Sequence, residues 1–145
     1  MKSAKDFFSE EEKKEIVNAI AKAELATSGE IRVHVEDACE GDAFKRGIEV
    51  FAKLGMHKTD LKNGVLFYFS VKNKKFAIVA DKGINDAVKP DFWNLIKEQM
   101  QKDFAAQKFS AGLCKAIEAA GMQLATYFPL MEGDKNELSN EISSS

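Results

Sequence analysis

The 145-residue chain predicts an α/β fold, a three-layer sandwich whose central mixed β-sheet carries helices on both faces. Three features carry that prediction. A cleanly alternating segment, Glu30 to Glu36, and a nearly continuous apolar one, Gly64 to Val71, have strand length and are separated by a helical pattern. A third apolar run, Lys75 to Ala80, follows the second after Lys72-Asn73-Lys74, so close that the two must form an antiparallel hairpin. A strand–helix–strand unit in one sheet crosses over right-handedly and leaves its strands parallel, so the first strand is expected parallel to the second.

Ser9 followed by Glu12 has the spacing of a capping box, and Ile16, Ile20 and Ala23 then recur at helical intervals until Thr27-Ser28-Gly29 breaks the pattern near Ala26. In the first strand Ile31, Val33 and Val35 share one face, while Arg32, His34 and Glu36 share a wetter face suited to a sheet edge. Asp42 is a candidate cap for a second helix with Phe44, Ile48, Phe51 and Gly55 on its inner stripe and Leu54 at its rim. The second strand, apolar at nearly every position, reads as buried on both faces. A short helical piece follows Asp81-Lys82-Gly83. Asp91, after Pro90, is placed to cap a helix bearing Phe92, Ile96, Met100 and Phe104. The last helix, from about Phe109 to Phe128, turns Leu113, Ile117, Ala120 and Leu124 inward before Pro129 stops it.

Residues 1–130 thus form a single domain. Residues 131–145, with Glu132, Asp134, Glu137 and Glu141 against Lys135 and a terminal run of serines, read as a disordered acidic tail. Formal charge is −2, and the basic residues are scattered among acidic ones, so no stripe suits nucleic acid. No run approaches the roughly 18 apolar residues of a membrane helix, and the opening segment has no apolar export signal. Cys39 and Cys114 stand in no metal-ligand spacing and are expected as reduced thiols, consistent with a cytoplasmic location.

The topology gathers polar groups that the sequence scatters. With the hairpin symmetric about Asn73, Asn63 lies near Gly83 and Val65 near Asp81. With the first two strands parallel, Ser28, Gly29 and Glu30 share that rim. Glu30, Asp60, Asn63 and Asp81 are therefore expected at one end of the sheet, with Asp86 or Asp91 completing the cluster. Carboxylates held together raise one another's pKa unless a cation compensates, and an oxygen-rich set suits a hard divalent ion, calcium or magnesium. Softer metals would want Cys or a His pair. Asp81 serves equally well as the cap of the following helix, and Asp91 reads as a cap before it reads as a ligand. Glu30 and Asp60 are also ordinary solvated carboxylates on this reading, and Lys82 is the one cation beside the rim. His34 and His57 have no Ser, Cys or Asp spaced to suggest a triad, and no catalytic residue is assigned. Trp93 and the phenylalanines belong to the core.

Three segments together resemble the TPM domain family: Thr27-Ser28-Gly29-Glu30-Ile31-Arg32-Val33, Asn63-Gly64-Val65-Leu66-Phe67-Tyr68 and Phe76-Ala77-Ile78-Val79-Ala80-Asp81-Lys82-Gly83-Ile84. Phe92-Trp93 and Phe109-Ser110-Ala111-Gly112 match its downstream pattern, so the likeness spans roughly residues 5 to 130. The resemblance implies an α/β sandwich with a mixed sheet. Through members linked to calcium and others linked to acid phosphatase activity, it implies a metal site around Asp81 with Glu30 and Asn63 across the rim. Other members work in photosystem maintenance or beside membrane receptors, so the fold leaves function open. The absence of an export signal and anchor separates this chain from many relatives. A divalent-metal-binding domain is the leading expectation. A metal-assisted acid phosphatase and a non-catalytic interaction module with a protein partner are the alternatives.

Overall fold

Ser9 starts the first helix as its spacing requires. In the computed structural model, which describes residues 3–130 and 142–144, the Glu12 N–H donates to Ser9 Oγ (3.1 Å) and the Ser9 N–H to Glu12 Oε1 (2.8 Å). Two orphan amides at the head of α1 (Glu10–Glu24) are thereby satisfied. Ile16 and Ile20 of α1 are fully buried, each contributing about 1.5–3 kcal/mol of apolar transfer.

The strands β1 (Glu30–Glu36), β2 (Gly64–Ser70) and β3 (Lys75–Ala80) pair as the topology demands, β1 parallel to β2 and β2 antiparallel to β3. Every residue of β2 is buried. Between β1 and β2 lies α2 (Ala43–Lys53), capped by Asp42 Oδ1, which accepts from the Phe44 N–H at 3.0 Å. A 3₁₀ turn, Met56–Lys58, follows it. After β3 come α3 (Lys82–Ala87), α4 (Phe92–Ala105) and α5 (Phe109–Tyr127). Ile31, Val33, Val35, Val65 and Phe67 face the core that α1, α4 and α5 complete. Leu66, Tyr68, Ala77 and Val79 face a smaller core closed by Val50, Phe51 and Met56. The sandwich is three-layered, with helices on both faces.

Four expectations need correction. The hairpin register is one residue away from symmetry about Asn73, because a four-residue loop, 71–74, closes it with Lys74 at φ 53°. Val65 therefore opposes Ala80, and it is Gly64 that opposes Asp81. The wet face of β1 is not wet. A short parallel strand β4 (Ser143–Ser144) covers its outer edge, Arg46 of α2 reaches over it to Glu36, and His34 and Glu36 are buried while Arg32 stays half-exposed. The α2 stripe is rotated: Gly47, Val50 and Phe51 face the sheet, while Phe44 and Ile48 are 49% and 48% exposed. The contact is made through Gly47, where an added Cβ would sit 2.9 Å from Val79 Cγ2, so this side of the helix lies closest to the strands. Finally, Ser143 and Ser144 of the expected tail pair with His34 and Val35 of β1, while 131–141 lie outside the described residues.

Candidate functional site

The rim where β1 and β2 begin and β3 ends is built by the ladder itself. Glu30 is in register with Gly64, and the Asp81 N–H donates to Gly64 O (2.9 Å), so Glu30, Gly64 and Asp81 form one row across three strands. The Glu30 N–H donates to Asn63 O (3.3 Å), and Asn63 Nδ2 donates to Ser28 Oγ (3.4 Å). Glu30 and Asn63 are buried. Asp81 caps α3, its Oδ1 accepting from the Lys82 N–H (2.7 Å), while its Oδ2 is buried with no hydrogen-bond partner among the described residues. The loop before β2 packs tightly on α3, since a Cβ on Gly83 would lie 2.2 Å from Leu61 O and 2.5 Å from Lys62 O. Only glycine fits there. Asp60, Asp86 and Asp91 are exposed, on the loop, on α3 and before α4, and the Asp91 side chain makes no capping bond.

The partner that the sequence did not suggest is Glu24, in the last turn of α1. The Ile31 N–H donates to its Oε2 (2.8 Å), and its Oε1 has no hydrogen-bond partner among the described residues. Burial pushes the Glu24 carboxyl up to about 8 against the pull of the Ile31 N–H, and the neighbouring Glu30 carboxyl pushes the same way. A carboxyl at a helix end, placed over the start of the next strand by a five-residue connection, carries no motif that spacing could reveal. Among the described residues, no three His, Cys, Asp or Glu side chains gather closely enough to hold a metal by themselves.

A second polar cluster sits at the opposite end of β1. Arg46 of α2 donates through Nε to both carboxylate oxygens of Glu36 (3.0 Å each) and through Nη2 to Oε1, and the Tyr68 hydroxyl donates to Oε2. Burial alone would raise the Glu36 carboxyl, but the Arg46 and Tyr68 donors outweigh it and hold the group below its ordinary range. Burial and Glu36 together push the Tyr68 hydroxyl far up. His34 Nδ1 lies 2.7 Å from Ser143 Oγ, and its Nε2 is 3.8 Å from Glu36 Oε1. Ser143, His34 and Glu36 are the residue types of a nucleophile–base–acid series. The His–Glu distance is nevertheless too long for an orienting hydrogen bond, and Glu36 is already engaged by Arg46. Burial pulls the His34 pKa down more than Glu36 lifts it, so the ring is neutral at pH 7. The arrangement ties β4 to β1. Both cysteines are free thiols, Cys39 buried and Cys114 half-buried, and no helix among the described residues is long and apolar enough to cross a membrane.

Comparison with known proteins agrees with this architecture. The family model described as TPM domain matches residues 1–123. The NMR structure of the BA42 protein from the psychrophilic bacterium Bizionia argentinensis is similar over 100% of both chains, with 48% identity and a TM-score of 0.90. The N-terminal domain of a P. gingivalis protein (15% identity, TM-score 0.66, 85% of this chain and 80% of that one) shares the fold. So does that of the cg2496 protein from Corynebacterium glutamicum (11%, 0.64, 81% and 74%). No curated protein matches significantly.

Proposed function

The chain belongs to the TPM domain family, and we propose that it binds a divalent cation, calcium or magnesium, at the acidic rim where β1 begins. The observation that carries this reading is the Glu24–Glu30 pair. Two carboxyl groups are held together, Glu30 buried and Glu24 half-buried, and burial together with Glu30 pushes the Glu24 carboxyl up to about 8. A hard cation can take the place of the Glu24 proton, and carboxylate, amide and carbonyl oxygens are the donors it prefers. Glu24 and Glu30 would be its charged ligands. Asn63, the unpartnered Oδ2 of Asp81, main-chain carbonyls and water would fill the remaining positions. Asp60, Asp86 and Asp91, being exposed, would add to the negative field around the ion. The acid phosphatase reading uses the same cation to polarise a phosphoryl oxygen, but no observation favours it over binding alone. The two free thiols support a cytoplasmic location as part of the same proposal.

The raised Glu24 pKa sets the test. A carboxyl whose folded-state pKa lies above its unfolded value stabilises the fold fully at acid pH, and that contribution is lost as pH climbs through about 8. Cation binding competes with the proton, so millimolar calcium or magnesium should raise the melting temperature of metal-free protein more at pH 8.5 than at pH 6. A ligand at a hundredfold excess over Kd adds about 2.7 kcal/mol. Glu24→Gln should abolish the response and, in metal-free buffer, make the melting temperature less dependent on pH between these values. Asp81→Asn should weaken the response. Melting curves unmoved by either ion at both pH values would refute the proposal.

A further inference from the structure

The strand order β3-β2-β1-β4 leaves the two sides of the sheet unequal, since β4 covers the edge of β1 and nothing described covers that of β3. The Asp81 N–H bonded to Gly64 O sets the phase of the β2–β3 ladder. Alternation along an antiparallel pair then turns the N–H and C=O groups of Phe76, Ile78 and Ala80 away from β2. No hydrogen bond within the described residues reaches these outward groups. Natural sheets blunt such an edge with a charge, a proline or a bulge, yet 76–80 reads Phe-Ala-Ile-Val-Ala.

This edge is the floor of a groove of about 670 Å³, walled by the start of α2 on one face of the sheet and by α4 on the other. The walls hold the features a guest strand would use. Phe44 lines the groove, and Ile48 stands one helical turn beyond it, both half-exposed on the side of α2 that the sheet does not use. Trp93 lines the opposite wall, and its buried indole Nε1–H has no acceptor among the described residues. Lys74, Lys75 and Lys97 line the groove with a single carboxylate, Asp42, which already accepts from the Phe44 N–H.

We propose that the β3 edge and its groove form a docking site for an extended, acidic segment of a partner protein, which adds to the sheet as a fifth strand. Main-chain bonds to Phe76, Ile78 and Ala80 would provide affinity. Phe44 on one face of the sheet and Trp93 on the other would contact successive side chains of the guest, and the lysines would select for acidic flanks. A second copy pairing antiparallel about Ile78 would set Lys75 opposite Asp81 and leave most of the groove's lysine charge unanswered, so the acidic partner is the occupant that its charge favours and self-pairing is the competing outcome. This site lies on other residues than the cation rim and does not depend on it.

The test uses the whole chain, labelled with ¹⁵N, and a synthetic acetylated peptide, Glu-Glu-Val-Thr-Val-Thr-Val-Glu-amide. Binding should shift the amides of Phe76, Ile78 and Ala80 and slow their hydrogen exchange, and it should change the emission of Trp93, the chain's one tryptophan. The same peptide N-methylated at alternate residues should lose binding when the methyl groups face β3 and keep it when they face away, without any change to the protein. Combined Lys74→Glu and Lys97→Glu, at two exposed positions, should weaken binding about tenfold at low salt and less at high salt. Three results would each overturn the proposal: no response of the three amides at millimolar peptide, equal binding by both N-methyl registers, or shifts at those amides that follow protein concentration without peptide, which would assign the edge to self-association.

Discussion

Glu36 illustrates how one buried carboxylate organises its surroundings. With about 7% of its side chain exposed, it accepts from Arg46, 28% exposed, and from the Tyr68 hydroxyl. Replacing Arg46 by Met keeps much of the side chain's volume but leaves a buried charge short of its partner. It should cost about 2–4 kcal/mol at pH 7. Because the folded-state pKa of Glu36 is depressed, its contribution is present above the ordinary carboxylate range and lost as pH falls through the folded value. Arg46→Met should therefore narrow the difference in urea midpoint between pH 7 and pH 4, and adding Glu36→Gln should recover part of the loss. A destabilisation below about 0.5 kcal/mol would mean that water already solvates Glu36.

At the scale of elements, α2 has two apolar stripes and uses one. Helical periodicity finds both, and what chooses between them is the absence of a side chain at Gly47, which brings that stripe against Val79, Tyr68 and Ala77. Phe51→Ala should cost about 3 kcal/mol, since Phe51 fills the smaller core. Phe44→Ser or Ile48→Ser should change stability by no more than about 0.5 kcal/mol, and thermal or urea unfolding separates the two cases directly. Losses of similar size at Phe44 and Phe51 would show that both stripes are buried in solution.

For the molecule as a whole, the two sheet edges are the informative comparison. The β1 edge is closed by residues that come from the far end of the chain: Ser143 is 109 positions from His34, and Ser144 pairs with Val35. Removing residues 142–145 should lower stability by about 1–3 kcal/mol, at about 1 kcal/mol for each net hydrogen bond lost. It should also speed amide exchange at Val33 and Val35, whose outward groups face β4 while leaving exchange in β2 unchanged. Equal exchange with and without the segment would mean that β4 is not paired in solution.

The sequence by itself determined the order of helices and strands from α1 to α5, the capping of α1 and α2, the parallel crossover from β1 to β2 and the β2–β3 hairpin. Each rests on periodicity or turn chemistry within a few residues, the range over which local sterics and hydrogen bonding act. The family resemblance rested on the same short segments. The rim was legible to the extent that topology alone brings Glu30, Asn63 and Asp81 to one end of the sheet. Tertiary structure decided the rest. Glu24 meets Glu30 because the end of α1 folds back over the start of β1, and Glu36 and His34 are enclosed where Arg46 of α2 and Ser143 of β4 reach them. The hairpin register follows from a loop one residue different from the symmetric one, and the open edge follows from strand order. These depend on which surfaces pack against each other, and packing joins residues whose separation along the chain carries no periodic signal.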